Sequence, residues 1–372
     1  MIARQHRRLV LSLVLAAACS SGGGVTRVDR TTPTGYINPV LDQDFPDPSI
    51  VRAPNGIFYA YATQTVQGGA RINIQGAQSL DLVSWTPLGE MLPAKPSWAS
   101  TTWNFWAPHV LWDAAKGKYF MYFAAQHDSI DKYGMCLGIA TSTAPNGPFA
   151  DVGAPLICGT GRNDFSHIDA MAFDDSASGR KYLYWGSSFQ PIVGQELDDT
   201  RLHFRFAGDV PDTLLRPSSK PYEALIEGPW VIKRNGYYYM FYSGNDCCNP
   251  DTPHYAVMVA RASSPLGPFQ KLADATGGAS SAILQGNASW LAPGHNAIVM
   301  DQAGTDWIVY HAIDPSKMYI PGTNRNVRRP MLIDKLVWTN GWPGVEADAP
   351  SRTDKPKPDI PVFRATTAGA PR

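Results

Sequence analysis

No charge of one sign dominates this chain: 32 lysines and arginines balance 32 aspartates and glutamates over 372 residues. That balance leaves no basic footprint for nucleic acid and no polybasic patch for a membrane surface. Beyond the first 18 residues there is no run of about 20 apolar residues, so no transmembrane helix is expected. Cysteine is scarce, at five residues, and no spacing among them resembles a zinc site. A convincing amphipathic helical pattern is also lacking, which leaves strands to build the core. What the chain has instead is aromatic: 11 Trp and 16 Tyr within a hydrophobic content of 44%. That is enough to bury a full core and to offer flat faces to sugar rings.

The N-terminus reads as an address. Arg4, Arg7 and Arg8 precede the apolar run Leu9 to Leu15 and then Ala16-Ala17-Ala18, the pattern of an export signal over residues 1–18. The stretch Leu15 to Cys19 resembles a bacterial lipoprotein signal, with Ala16 where leucine is usual. In that reading Cys19 carries the lipid that is the chain's one membrane contact; an ordinary cleaved secretory peptide is the alternative. Either way the protein is expected outside the cytoplasm, in the cell envelope (periplasm or cell surface) or secreted. Residues 19–35 read as a flexible tether. In an exported chain Cys136, Cys158, Cys247 and Cys248 are permitted disulfides. Pairing the first two would leave Cys247 and Cys248 as an adjacent pair, and connectivity stays open.

One plan recurs along the rest. Glu227 opens an apolar strand, Arg234-Asn235-Gly236 turns it, Tyr237 to Tyr242 forms a dense strand, and Tyr255 to Ala262 a third that ends at Ser264-Pro265-Leu266-Gly267-Pro268-Phe269. Similar units begin at Asp47, Ala107, Asp169 and His295, roughly 60 residues apart. Five units of short strands without intervening helices predict an all-β, five-bladed β-propeller over residues 36–342. Residues 343–372 read as a tail, disordered or wrapped on the surface.

In a propeller the first strand of each blade lines the central channel. Asp47, Ala107, Asp169, Glu227 and His295 therefore converge on one mouth. Singly, Asp47 reads as a turn cap before Pro48, Asp169 as a strand-start acid, Glu227 as a turn residue and His295 as a core histidine. Three acids at the same step of three repeats read better as one shared site, because burying them together is costly unless the site uses them. Carboxylates in an aromatic pocket suggest glycosidic cleavage, one acid protonating the leaving oxygen and another activating water.

These residues carry a resemblance. Phe45-Pro46-Asp47-Pro48-Ser49-Ile50, Trp106-Ala107-Pro108, His167-Ile168-Asp169-Ala170, Glu227-Gly228-Pro229 and Gly294-His295-Asn296 resemble, in order, the motifs of glycoside hydrolase family 43. The resemblance implies an inverting glycosidase acting on arabinan or arabinoxylan, hence a plant cell-wall oligo- or polysaccharide as partner. By motif, Asp47 would be the general base, Asp169 the acid that orients and tunes, and Glu227 the general acid. Arg329 would contact the innermost sugar, or else pair with a surface acid. His295 would stand beside a channel calcium ion, for which one histidine is thin support since calcium prefers oxygen ligands; no other cofactor is implied. Trp106 would stack on a furanose or pack under the channel rim. Loops 96–106 and 245–254 are the candidate walls that set specificity. The expectation is an α-L-arabinofuranosidase or arabinanase, with a β-xylosidase of the same fold and a non-catalytic glycan-binding surface propeller as alternatives.

Overall fold

Bulky residues fill the second strand of every repeat, and each such strand becomes the middle of a sheet. The computed structural model describes residues 34–130, 134–159, 166–186 and 188–360; the export signal, Cys19 and nearly all of the tether 19–35 lie outside these. The first blade is Ser49–Arg52, Phe58–Ala62, Gln75–Ser79 and Trp85–Glu90. The second is built on Phe105–Asp113, Lys118–Gln126 and Met135–Ser142, with Ala150–Asp151 and Ile157–Cys158 both on its outer strand. Met171–Asp175, Arg180–Trp185, Ile192–Leu197 and Asp212–Leu215 make the third. The fourth uses Ile226–Arg234, Tyr237–Asp246 and His254–Ala262, edged by Gln270–Lys271 and Ala282–Leu284. Leu291–Met300, Asp306–Ile313, Met331–Thr339 and Trp342–Val345 form the fifth. All pairings are antiparallel, and the one α-helix among the described residues is the single turn Leu272–Thr276.

The second strands are buried on both faces, as their composition requires. In the first four blades this strand supplies a tyrosine whose hydroxyl reaches a turn of the next blade. Tyr61 donates to Pro145 O (2.5 Å), Tyr122 to Arg201 O (2.9 Å), Tyr184 to Pro265 O (3.0 Å) and Tyr239 to Gly341 O (2.6 Å). The rings thus fill the interblade core while their polar tips satisfy turn carbonyls.

The fifth blade is the last in sequence and closes against the first, and its tyrosine, Tyr310, donates instead to Asp334 Oδ2 at 2.6 Å within its own sheet. The N-terminal segment meets it there. Asn38 Nδ2 donates to Ile333 O (2.9 Å) and to Asp334 (3.2 Å), while its Oδ1 accepts from the Ile333 N–H (2.9 Å). Asn38→Ala strands these buried partners, so we expect a loss of about 2–4 kcal/mol in urea unfolding; a loss within error would remove this amide from the closure.

The last strand extends a little past the propeller end read from the sequence. The fifth sheet runs to Val345, past Trp342, and the chain beyond it stays attached: Lys355–Pro356 pairs with Gly35–Tyr36. Trp290 Nε1 donates to Ser351 O at 3.2 Å, so the described part of the tail takes the wrapped alternative. Both cysteine pairs are disulfides, Cys136–Cys158 and the adjacent Cys247–Cys248.

Candidate active site

The five repeats share a backbone feature at their inner ends. Asp47 (φ 56°), Ala107 (φ 44°), Asp169 (φ 58°), Gly228 (φ 61°) and His295 (φ 47°) all adopt the left-handed region. For the four that are not glycine this conformation costs about 1–2 kcal/mol each. It interrupts the alternation of the strand, so pairing skips between Trp106 and His109, between Glu227 and Trp230, and between Gly294 and Ala297. The residue at the left-handed step faces the axis: Asp47, Ala107, Asp169 and His295 line one narrow channel mouth.

This corrects the register read from the sequence. Gly228, not Glu227, stands in step with Asp47, and Glu227 is in step with Trp106, Ile168 and Gly294 one residue earlier. Trp106, Ile168 and Glu227 line the wider cleft above, together with Asp47 and Asp169. The acids therefore approach the cleft from two kinds of backbone position, Glu227 from its wall and the two aspartates from its floor.

Asp47 is 8% exposed and fully engaged. Its Oδ2 accepts from the Thr63 hydroxyl (2.5 Å), and its Oδ1 from Arg329 (3.0 Å), with the His311 and His295 rings at 3.3 and 3.6 Å. Burial alone would push its pKa up; Arg329, the largest opposing influence, outweighs it and holds the carboxyl well below the usual range. Asp169 Oδ2 accepts from the Gly228 N–H at 3.1 Å. Burial and then the nearby charges of Glu227 and Asp47 push it well up. Burial also pushes Glu227 up, to about 7, although its Oε1 accepts a 2.6 Å bond from the Tyr255 hydroxyl. One carboxyl is thus kept ionised while two others hold on to protons, the division of labour that acid–base catalysis needs.

Arg329, placed at a sugar subsite by motif, pairs with Asp47 and not with a surface acid. Its own N–H donates to Asp44 Oδ1 at 2.9 Å, which fixes the strand start beside the cleft. His295 lies across Gly228, where a Cβ would come within 3.2 Å of Nδ1. Trp106 is partly buried in the cleft wall.

Sequence reasoning missed Thr63, His311 and Tyr255. Thr63 also accepts the Ala107 N–H (2.7 Å), tying two blades at the base. His311 is fully buried beneath Asp47 and takes the Asp47 N–H on Nδ1 at 3.1 Å. Tyr255 lies parallel to the His311 ring, with its edge where a Cβ on Gly294 would come within 2.0 Å. Glycine at 294 is the sequence signal that a ring approaches the backbone there.

The cleft encloses about 540 Å³, a volume that suits a small oligosaccharide. Its walls include Trp103, Arg71 and Asn73 on one side and Cys247, Cys248, Arg325 and Asn326 on the other. Both loops expected to form walls, 96–106 and 245–254, thus contribute. Among the described residues no group of three or more His, Cys, Asp or Glu could hold a metal ion. The Asn296 amide, beside His295 in the channel, has no partner for either side-chain atom. One amide and one ring nitrogen suit a hydrated ion or water, not a calcium ion bound directly by six to eight protein oxygens.

Comparison with known proteins agrees with this geometry. Residues 36–343 match the profile described as Glycosyl hydrolases family 43. A β-D-galactofuranosidase of Aspergillus niger is 32% identical over 82% of this chain and 83% of its own length. An extracellular endo-α-(1→5)-L-arabinanase of Bacillus subtilis is 28% identical, covering 80% of this chain and 86% of its own. Among solved structures, a thermostable family-43 glycoside hydrolase superposes with a TM-score of 0.69 at 26% identity, over 88% of this chain and all of that one.

Proposed function

The chain belongs to glycosyl hydrolase family 43, and from that premise we propose that it hydrolyses α-L-arabinofuranosyl linkages of arabinan or arabinoxylan with inversion at the anomeric carbon. The observation that carries this is the contrast between Asp47, held ionised by Arg329, and Glu227, pushed up to about 7, on the floor and wall of one cleft. Glu227 gives its proton to the leaving glycosidic oxygen as the C1–O bond breaks. Asp47 takes a proton from the water whose oxygen bonds to C1 from the opposite face. Asp169, tied to the backbone beside Glu227, positions that acid and shares its proton. Arg329 holds Asp47 and leaves its remaining donors for the sugar hydroxyls. His295 and Asn296 are the residues that would hold a hydrated calcium ion, which would supply positive charge to the channel end of the site. The name of the Bacillus relative supports arabinan as the polymer and an exported enzyme.

A second reading is favoured by the Aspergillus relative: a β-D-galactofuranosidase. The two furanosides share the configuration of the ring and differ in the length of the arm on C4. Hydrolysis of the p-nitrophenyl α-L-arabinofuranoside, β-D-galactofuranoside and β-D-xylopyranoside, and of linear arabinan, separates the cases. Arabinose from the first glycoside, or oligomers from arabinan, supports the proposal. Preference for the galactofuranoside or xyloside replaces it, and binding of arabinan without turnover makes the protein a glycan-binding propeller.

Asp169→Asn tests the shared proton. With one carboxyl gone from the pair, the last proton is no longer retained against a like charge, so the alkaline limb of kcat/KM moves to lower pH. An unmoved limb with reduced kcat would leave Asp169 a purely steric role.

A further inference from the structure

The inserted hairpin of the first blade, Thr65–Gln67 with Ala70–Ile72, brings Arg71 over the cleft rim. Opposite it, loop 91–104 brings Lys95. Both cations stack on one ring: Lys95 Nζ lies 3.4 Å and the Arg71 guanidinium 4.8 Å from the Trp103 centroid. Trp103 is 50% exposed and lines the cleft with Arg71. Neither cation is in an ion pair among the described residues; the one polar partner of Lys95 is Thr102 O at 2.6 Å. The nearest carboxylate that acts on Lys95, Asp128, is itself taken up by Ser100 and Thr101 through four hydrogen bonds of 2.7 to 3.1 Å.

The indole face attracts each cation and offsets part of their mutual repulsion; an anion bound beside them would offset the rest. The inner cleft has the opposite character, with Asp44, Asp47, Asp169 and Glu227 among its lining. An anionic group entering this cleft is repelled from its inner part and attracted to the rim. We infer that Arg71, Lys95 and Trp103 form a distal subsite for a carboxylate-bearing sugar, a hexuronate of the polysaccharide, whose carboxylate is drawn to the two cations held at the indole. The inference rests on the glycosidase reading of the cleft and names a part of the polymer that the reacting centre does not touch.

The test uses an arabino-oligosaccharide carrying one hexuronate residue and the same oligosaccharide with that carboxyl reduced to the alcohol. For wild type at low ionic strength we expect kcat/KM about fivefold higher for the acidic substrate, an advantage that shrinks in about 0.5 M NaCl. In Arg71→Gln/Lys95→Gln, checked for folding by its thermal melt, the ratio falls to about one, and Arg71→Lys retains part of it. Equal values in wild type, or an advantage that survives in the double variant, overturn the subsite. If neither oligosaccharide is turned over, the hydrolytic reading fails separately, and calorimetric affinities of the same pair decide the subsite by the same ratio.

Discussion

Glu227→Gln is expected to lower kcat on arabinan about a thousandfold, the usual worth of a positioned general acid. The sugar leaving group of a polymer is a poor one and needs the proton, whereas p-nitrophenolate leaves without it. The loss should therefore be much smaller on the aryl glycoside, and that difference identifies the acid more sharply than loss of activity alone. The variant should also be more stable than wild type at alkaline pH. The pKa of Glu227 is raised in the fold to about 7, so above the ordinary carboxylate range ionisation of Glu227 opposes folding. Glutamine removes that penalty, and the gain in Tm seen at pH 8 should fade towards pH 4. Equal losses on both substrates, or a lowered Tm at pH 8, would assign Glu227 a structural role.

Asp47→Asn is expected to cost about a thousandfold or more in kcat on both substrates alike, because activation of water is needed whatever leaves. In wild type, kcat/KM requires Asp47 ionised and Glu227 protonated. Asp47 is held well below the usual carboxylate range, chiefly by Arg329, and Glu227 loses its proton near 7. The profile should thus stay high through pH 4 to 6 and fall on the alkaline side near 7. A profile whose acid limb sits at an ordinary carboxylate pKa would contradict the Arg329–Asp47 pairing as the cause. Asparagine also loses the charge opposite Arg329, so some destabilisation accompanies the kinetic loss.

The sequence made the propeller legible because its period is long, its second strands are dense with aromatics and its turns carry glycine and proline. Asp47, Asp169 and His295 were legible for the same reason: they recur at one step of that period. Glu227 was found by the same recurrence but stands one residue before the repeating step, since the feature that repeats is the left-handed residue itself. In the fourth blade glycine supplies that conformation. Thr63, Tyr255 and His311 come from second and third strands, where bulky residues look like core until the fold aims them at the carboxylates. Nothing in the repeat singled out Arg71, because the Gly68-Gly69 turn belongs to a hairpin too short to show periodicity. The closure through Asn38 and Asp334 joins residues almost 300 apart in sequence, which no local pattern announces.

The division of roles between Asp47 and Glu227 is tested most directly by following an aryl α-L-arabinofuranoside by proton NMR and observing which anomer of the free sugar appears first. Attack of water from the face opposite the leaving group predicts that β-L-arabinofuranose appears first and then mutarotates. First appearance of the α anomer would mean a covalent intermediate, with Asp47 as nucleophile in place of base, and would contradict the account.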